Sequence, residues 1–157
     1  MGTRSTIALE FADGTIEQVY CHWDGYLEHN GVLLSKHYSN PFILRDLIDL
    51  GDISSLKPTI GTKHAFSRLE VPMDDEAYDK LYGNMTTFYG RDREETGIDS
   101  RKFNNYEHFL IDGQWEEYDY ILRNDNGVAV WFVSDHDGDF MLLSEALSKC
   151  NQEECVA

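Results

Sequence analysis

The sequence predicts an α+β domain: an antiparallel or mixed sheet built from N- and C-terminal hairpins, with about four helices packed on it. Three observations carry this expectation. A run of β-type residues folds back around Asp13-Gly14, a second such pair flanks Asn126-Gly127, and between and after them apolar residues recur at helical spacing. At 157 residues the chain has ordinary single-domain length, and no repeat or flexible linker divides it. Residues 1–157 therefore read as one domain, with fraying expected at 1–4 and 151–157.

In the first hairpin Ile7, Leu9 and Phe11 alternate with Ala8 and Glu10, and residues 16–23 return after Ala12-Asp13-Gly14-Thr15. A two-residue Asp-Gly turn would set Glu10 opposite Glu17, a like-charge pair that a bulge would relieve, so the register stays open. Asp24 stands where it can cap a helix through Leu27, Val32, Leu33 and Leu34, although Asn30-Gly31 interrupts it. The next helix has a full set of signals: Asn40 as N-cap, Pro41 at the first position, Phe42, Leu44, Leu47 and Ile48 at helical spacing, and Gly51 just past the end. Residues 52–73 hold Pro58, Gly61 and Pro72 and read as a long connection with one strand at 65–71. Residues 74–82 form a short helix with acids in its first turn. A strand at 108–111, with Trp115, is expected to precede the hairpin of 118–123 and 128–133, and Phe140, Leu143, Leu147 and Cys150 mark a terminal helix.

Charge narrows the function. Twenty-nine acidic residues against thirteen Lys and Arg give a net charge of -16, a field that repels a phosphate backbone. Direct binding to nucleic acid or to an anionic membrane is disfavoured. Residues 107–157 hold twelve acids and two bases, Arg123 and Lys149, so -10 of the charge lies in the last third. A basic partner would meet that part first. Cys21, Cys150 and Cys155 have no metal-binding spacing and fit reduced thiols. No apolar run approaches the roughly 18 residues of a membrane span and no signal-peptide core is present, so a cytoplasmic location is expected.

Three stretches carry candidate chemistry. Tyr20-Cys21-His22-Trp23-Asp24-Gly25-Tyr26 gathers a thiol, an imidazole, a carboxylate and three aromatic rings at a strand end. Alternation sends Cys21 and His22 to opposite faces, so they are not a nucleophile and its base. His22, Trp23, Asp24 and Tyr26 are candidates for a binding surface, with Trp23 expected to be buried beneath a neighbouring helix. Farther on, Arg91 and Arg93 are spaced to grip a carboxylate or phosphate beside the ring of Tyr89, while Asp92, Glu94 and Glu95 are placed to neutralise them within the loop. Both readings stand. Asp135-His136-Asp137-Gly138-Asp139 alternates acids as a calcium loop does, but Phe140 and Ala146 occupy the glycine and glutamate positions, so a polar turn is expected, with Asp139 placed to cap the following helix. Glu116, Glu117, Asp135 and Asp137 are the carboxylates expected to face a partner. The histidines are scattered and no phosphate-binding, dinucleotide-binding or serine-nucleophile motif is present, so no catalytic residue, metal ligand or cofactor is assigned.

At Gly2-Thr3-Arg4-Ser5-Thr6-Ile7, at the stretch from Tyr20 to Tyr26, and at Thr87-Phe88-Tyr89-Gly90-Arg91-Asp92-Arg93, the chain resembles a group of small acidic proteins encoded by tailed phages and plasmids. The likeness spans most of the chain and is most specific at Cys-His-Trp-Asp-Gly-Tyr. It implies a mobile-element protein in a bacterial cytoplasm and brings no mechanism with it. Small acidic proteins in that setting often act in host takeover or counter-defence. The expectation is a binding protein that docks on a basic surface of a host nucleic-acid-handling or defence protein and inhibits or modulates it. An alternative from another class is a small-molecule binder or enzyme holding a nucleotide-like anion between His22 and Tyr26 on one side and Tyr89, Arg91 and Arg93 on the other. That alternative requires two distant segments to meet.

Overall fold

The structure, a computed structural model, describes residues 2–113, 116–135 and 139–156, with side chains given through Cys150. The first hairpin pairs Ser5–Glu10 (β1) with Ile16–Cys21 (β2), Ile7 opposite Val19 and Leu9 opposite Glu17. Gly14 N donates to Phe11 O at 2.9 Å and Phe11 N to Thr15 O at 2.8 Å, and Gly14 takes a φ of 89°. A turn followed by a left-handed glycine makes a bulged loop one residue longer than a tight Asp-Gly turn. The longer loop sets Glu10 opposite Ile16, and the repulsion with Glu17 never arises.

The second hairpin, Tyr118–Asp125 (β6) with Val128–Asp135 (β7), closes on Asn126 and Gly127 at φ 53° and 86°, the paired positive values its two-residue turn demands. β1 joins the two hairpins by pairing in parallel with β6, Ser5 to Tyr118 through Leu9 to Leu122. Every residue from Ser5 to Leu9 is buried, as a strand covered on both faces requires. Ile53–Ser55 (β3) extends the sheet from Cys21, Thr87–Phe88 (β4) pairs with β3, and Arg101–Phe103 (β5) uses the other end of β2. With Met141–Leu142 (β8) on β7, eight strands among the described residues form one mixed sheet in the order β4-β3-β2-β1-β6-β7-β8, β5 lying beside β2.

Among the described residues six α-helices accompany the sheet, two more than the sequence suggests. One face is covered by a π-helical turn at Leu27–Gly31 and by Val32–His37 (α1), Pro41–Asp49 (α2) and Leu143–Val156 (α6). Their apolar side chains meet Ile7, Leu9, Val19, Tyr120, Leu122 and Trp131 in the larger core. Helix α2 follows its sequence signals: Asn40 Oδ1 accepts from Phe42 N at 2.9 Å, and Leu44, Leu47 and Ile48 are buried, each contributing about 1.5–3 kcal/mol. Asp75–Tyr82 (α3) is likewise capped by Asp74, which accepts from Ala77 N at 2.8 Å. On the opposite face Tyr106–Asp112 (α5) buries Phe109 against Ala8, Ile16, Phe103 and Ile121. The sixth helix is the short Tyr89–Arg93 (α4) after β4.

Several expectations are corrected. Residues 108–111 belong to α5 and not to a strand, because Asn105 Oδ1 accepts from His108 N at 2.8 Å and starts a helix; Trp115 lies outside the described residues. Residues 65–71 hold a 3-10 turn at Arg68–Glu70, while β3 lies earlier in that connection. Asp24 caps nothing: it sits at φ 56°, the helical turn begins from Tyr26, and no side chain caps it. Phe140 precedes α6 and packs on the α5 side.

Candidate functional site

Strand pairing aligns Phe88, Ile53, Cys21, Ser5, Tyr118 and Asp135 in one row across the sheet. The row marks the end of the sheet where β1 and β6 begin and where β2 and β7 finish. His22, Trp23, Asp24 and Tyr26 leave at that end, and Glu116, Glu117 and Asp135 enter or close it. Seven of the eleven residues singled out from the sequence thus share one edge. Asp137 lies outside the described residues, and the other three follow β4.

The stretch after β2 is pinned by its backbone. His22 N and Trp23 N donate to Ile53 O and Ser54 O, each at 3.0 Å, and Gly25 N donates to Thr3 O at 2.7 Å. From the core, the Tyr120 hydroxyl donates to Gly25 O at 2.7 Å. Gly25 is needed here, since a Cβ would stand 2.7 Å from the Ser5 Cβ. Trp23 is not buried as expected: it is 43% exposed, lies against Gly2 and meets the His22 ring edge-on at 4.7 Å. Tyr26, at 37%, is exposed beside it in sequence. Cys21 is fully buried, and burial pushes its thiol up to about 11, so it stays protonated and unreactive at neutral pH.

The face opposite the larger core is polar at this end. Tyr20 and His22 project there, the Tyr20 hydroxyl 2.8 Å from His22 Nδ1. Thr6 Oγ1 donates to Asp119 Oδ1 at 2.6 Å, and Gln18 Nε2 donates to Thr6 Oγ1 and Gly113 O at 3.0 and 2.8 Å, all fully buried. Asp52 Oδ1 accepts from Tyr20 N at 2.9 Å. Burial raises the pKa of Tyr20, Asp52 and Glu116 and lowers that of Arg101 and His22. The charges of Arg4 and Arg101 work against the shift at Glu116, and Arg4 adds to the one at His22. The lowered pKa of His22 favours its neutral imidazole, which holds the Tyr20 hydroxyl at hydrogen-bond distance. Asp52 and Arg101 escaped the sequence reading because β3 and β5, which bring them here, are three residues each.

Tyr89 does approach this patch, since Tyr89 N donates to Asp52 O at 3.3 Å across β3. Arg91 turns away. Its five N–H bonds are all directed at its own chain: Nε and Nη2 to Asp92, Nη1 to Ile60 O and Gly61 O, and Nη2 also to Thr86 O. Arg93 lies over Phe66, 5.0 Å from its centroid, and meets Glu95 at 3.7 Å. The self-neutralised reading of this loop describes the geometry; the anion grip lacks a donor at Arg91.

Acidic groups gather around Tyr118. Burial raises its pKa first, and the charges of Glu28, Asp135 and Glu117 raise it further. Glu28 comes from the turn after Tyr26, so the carboxylates and the exposed aromatic rings share the edge. Among the described residues no three His, Cys, Asp or Glu side chains converge as metal ligands would, and no helix is long and apolar enough to cross a membrane. Comparison of the chain with family models, curated proteins and solved structures finds no match.

Proposed function

We propose that this chain is an acidic binding protein of phage or plasmid type, acting in a bacterial cytoplasm, that docks on a basic surface of a host nucleic-acid-handling or defence protein and modulates it. One observation carries the reading: Trp23 and Tyr26 are exposed on a backbone-pinned loop at the edge where Glu28, Glu117 and Asp135 collect. Aromatic anchors inside a charged rim are the usual anatomy of a protein interface, and a pinned loop loses little entropy on binding. The net charge of -16 supplies the steering towards a basic partner. The setting rests on the resemblance of the Cys-His-Trp-Asp-Gly-Tyr stretch.

The test is affinity capture from bacterial lysate at low and high salt, followed by mass spectrometry, with wild type, the pair Trp23→Ala and Tyr26→Ala, and the pair Glu117→Lys and Asp135→Lys. A basic protein held by wild type, lost by the aromatic pair and captured more slowly by the charge-reversed pair is the expected result. Capture that is identical for all three proteins, or absent at both salt concentrations, ends the proposal.

A further inference from the structure

At the other end of the sheet, where β1 and β6 finish, a groove of about 450 Å³ opens between the strands and the first turn of α2. That is within the roughly 300–1,000 Å³ of small-molecule sites. Leu9, Phe11, Leu122 and Ala129 make an apolar floor, and Phe42 stands at the rim, 79% exposed. The Asn40 cap fixes the helical turn that holds Phe42 there.

Two arginines touch the groove, and they differ. Arg123 donates through Nε and Nη2 to Glu10 Oε2, both at 3.2 Å, and its guanidinium stacks 3.6 Å from the Tyr106 centroid on the sheet's other face. Arg123 and Glu10 therefore cancel. Arg45 is poised over the Phe11 ring, 5.8 Å from its centroid, with 62% of its side chain exposed. Its one carboxylate neighbour, Asp49, reaches Nε at 4.0 Å, and its Nη groups meet no acceptor among the described residues.

We propose that this groove binds a small amphipathic carboxylate, its apolar body on the floor and its carboxylate on Arg45. An open guanidinium fork matches a carboxylate in both geometry and charge, and the aromatic ring beneath holds the fork level. A wholly apolar ligand would leave the fork unused. A polyanion would meet the field of a chain carrying -16, whereas a single charge at Arg45 is screened from most of it within the roughly 8 Å Debye length of physiological salt.

The experiment follows backbone amides by ¹⁵N NMR during titration with octanoate or, as its uncharged counterpart, 1-octanol. Octanoate is expected to shift the amides of Phe11, Phe42 and Ala129 while leaving that of Trp23 in place. Arg45→Gln, a surface change that spares the fold, is expected to weaken octanoate about tenfold and to leave octanol unchanged. Ala129→Phe fills the floor and is expected to abolish both. Shifts elsewhere, no shift at millimolar octanoate, or equal weakening of both probes by Arg45→Gln overturns the proposal. Shifts of the groove amides with protein concentration alone would assign the groove to a second copy and overturn it as well.

Discussion

Replacing Asp92 with alanine removes the carboxylate that organises the segment after β4. The side chain is fully buried and takes four bonds: His64 N at 3.1 Å and Arg91 Nε at 3.0 Å on Oδ1, Phe88 N at 2.8 Å and Arg91 Nη2 at 3.2 Å on Oδ2. The variant leaves two backbone N–H groups without an acceptor, at about 1–3 kcal/mol each, and strands a guanidinium whose side chain is only 13% exposed. Arg91 keeps its bonds to Ile60, Gly61 and Thr86 carbonyls, which limits that last penalty. A total of about 3–5 kcal/mol results, the range for breaking a buried pair from one side. At about 2–4 °C per kcal/mol for a chain of this size, Tm falls by about 6–20 °C in thermal unfolding followed by circular dichroism. A melt within about 2 °C of wild type refutes the reasoning and returns Arg91 to the list of available anion-binding groups.

Two further outcomes follow from the edge around Trp23. Because that residue is 43% exposed, Trp23→Ala should cost about 2 kcal/mol and not the roughly 3–5 expected of a buried tryptophan, lowering Tm by about 4–8 °C while partner capture is lost; a drop beyond about 12 °C would show that the ring is a core element. Burial first, and the charge of Arg4 second, hold the His22 imidazole below its ordinary 6.5, so on acidification the unfolded chain takes up this proton before the folded one does. This contribution is therefore intact above pH 6.5, is lost as pH falls through that value, and levels off below the folded-state pKa. In His22→Gln the dependence of Tm on pH between about 7 and 5 should flatten, and an unchanged slope would remove His22 from the account.

The parts of the fold legible in the sequence are those whose signals are local. Asn40 and Pro41 announce α2, the acids of its first turn announce α3, and Asn126-Gly127 announces the second hairpin, because each acts on the backbone within a turn of its own position. Elements made by distant partners gave no such signal. β3, Ile-Ser-Ser, is too short for alternation to register, and β4, Thr-Phe, shows only as a short β-type run before the loop that holds Arg91; both exist because Cys21 and Ile53 offer edges to pair with. Residues 108–111 misled for the opposite reason. His-Phe-Leu-Ile has β-type composition, yet the Asn105 cap and the burial of Phe109 beneath the sheet decide for helix.

For the candidate site, the parallel pairing of β1 with β6 matters most. It carries Glu117 and Asp135 beside a loop more than ninety residues earlier in the chain, and no spacing within either segment could announce the meeting. The same pairing explains why Glu117 and Asp135 meet the aromatic stretch at 20–26 at one edge: Ser5, opposite Cys21 on one side and Tyr118 on the other, is the shared residue of both. Asn30 Nδ2 reaches Ser5 Oγ at 3.2 Å and Cys21 Sγ at 3.4 Å, tying the turn that bears Glu28 to the same point. A change at Ser5 would therefore disturb aromatic rings, carboxylates and the hydrogen bond of a buried amide together, although Ser5 itself is fully buried. An edge whose parts come from four segments and one common strand is positioned by the sheet and not by its own loops, and this is why its residues can remain exposed without the loop losing its shape.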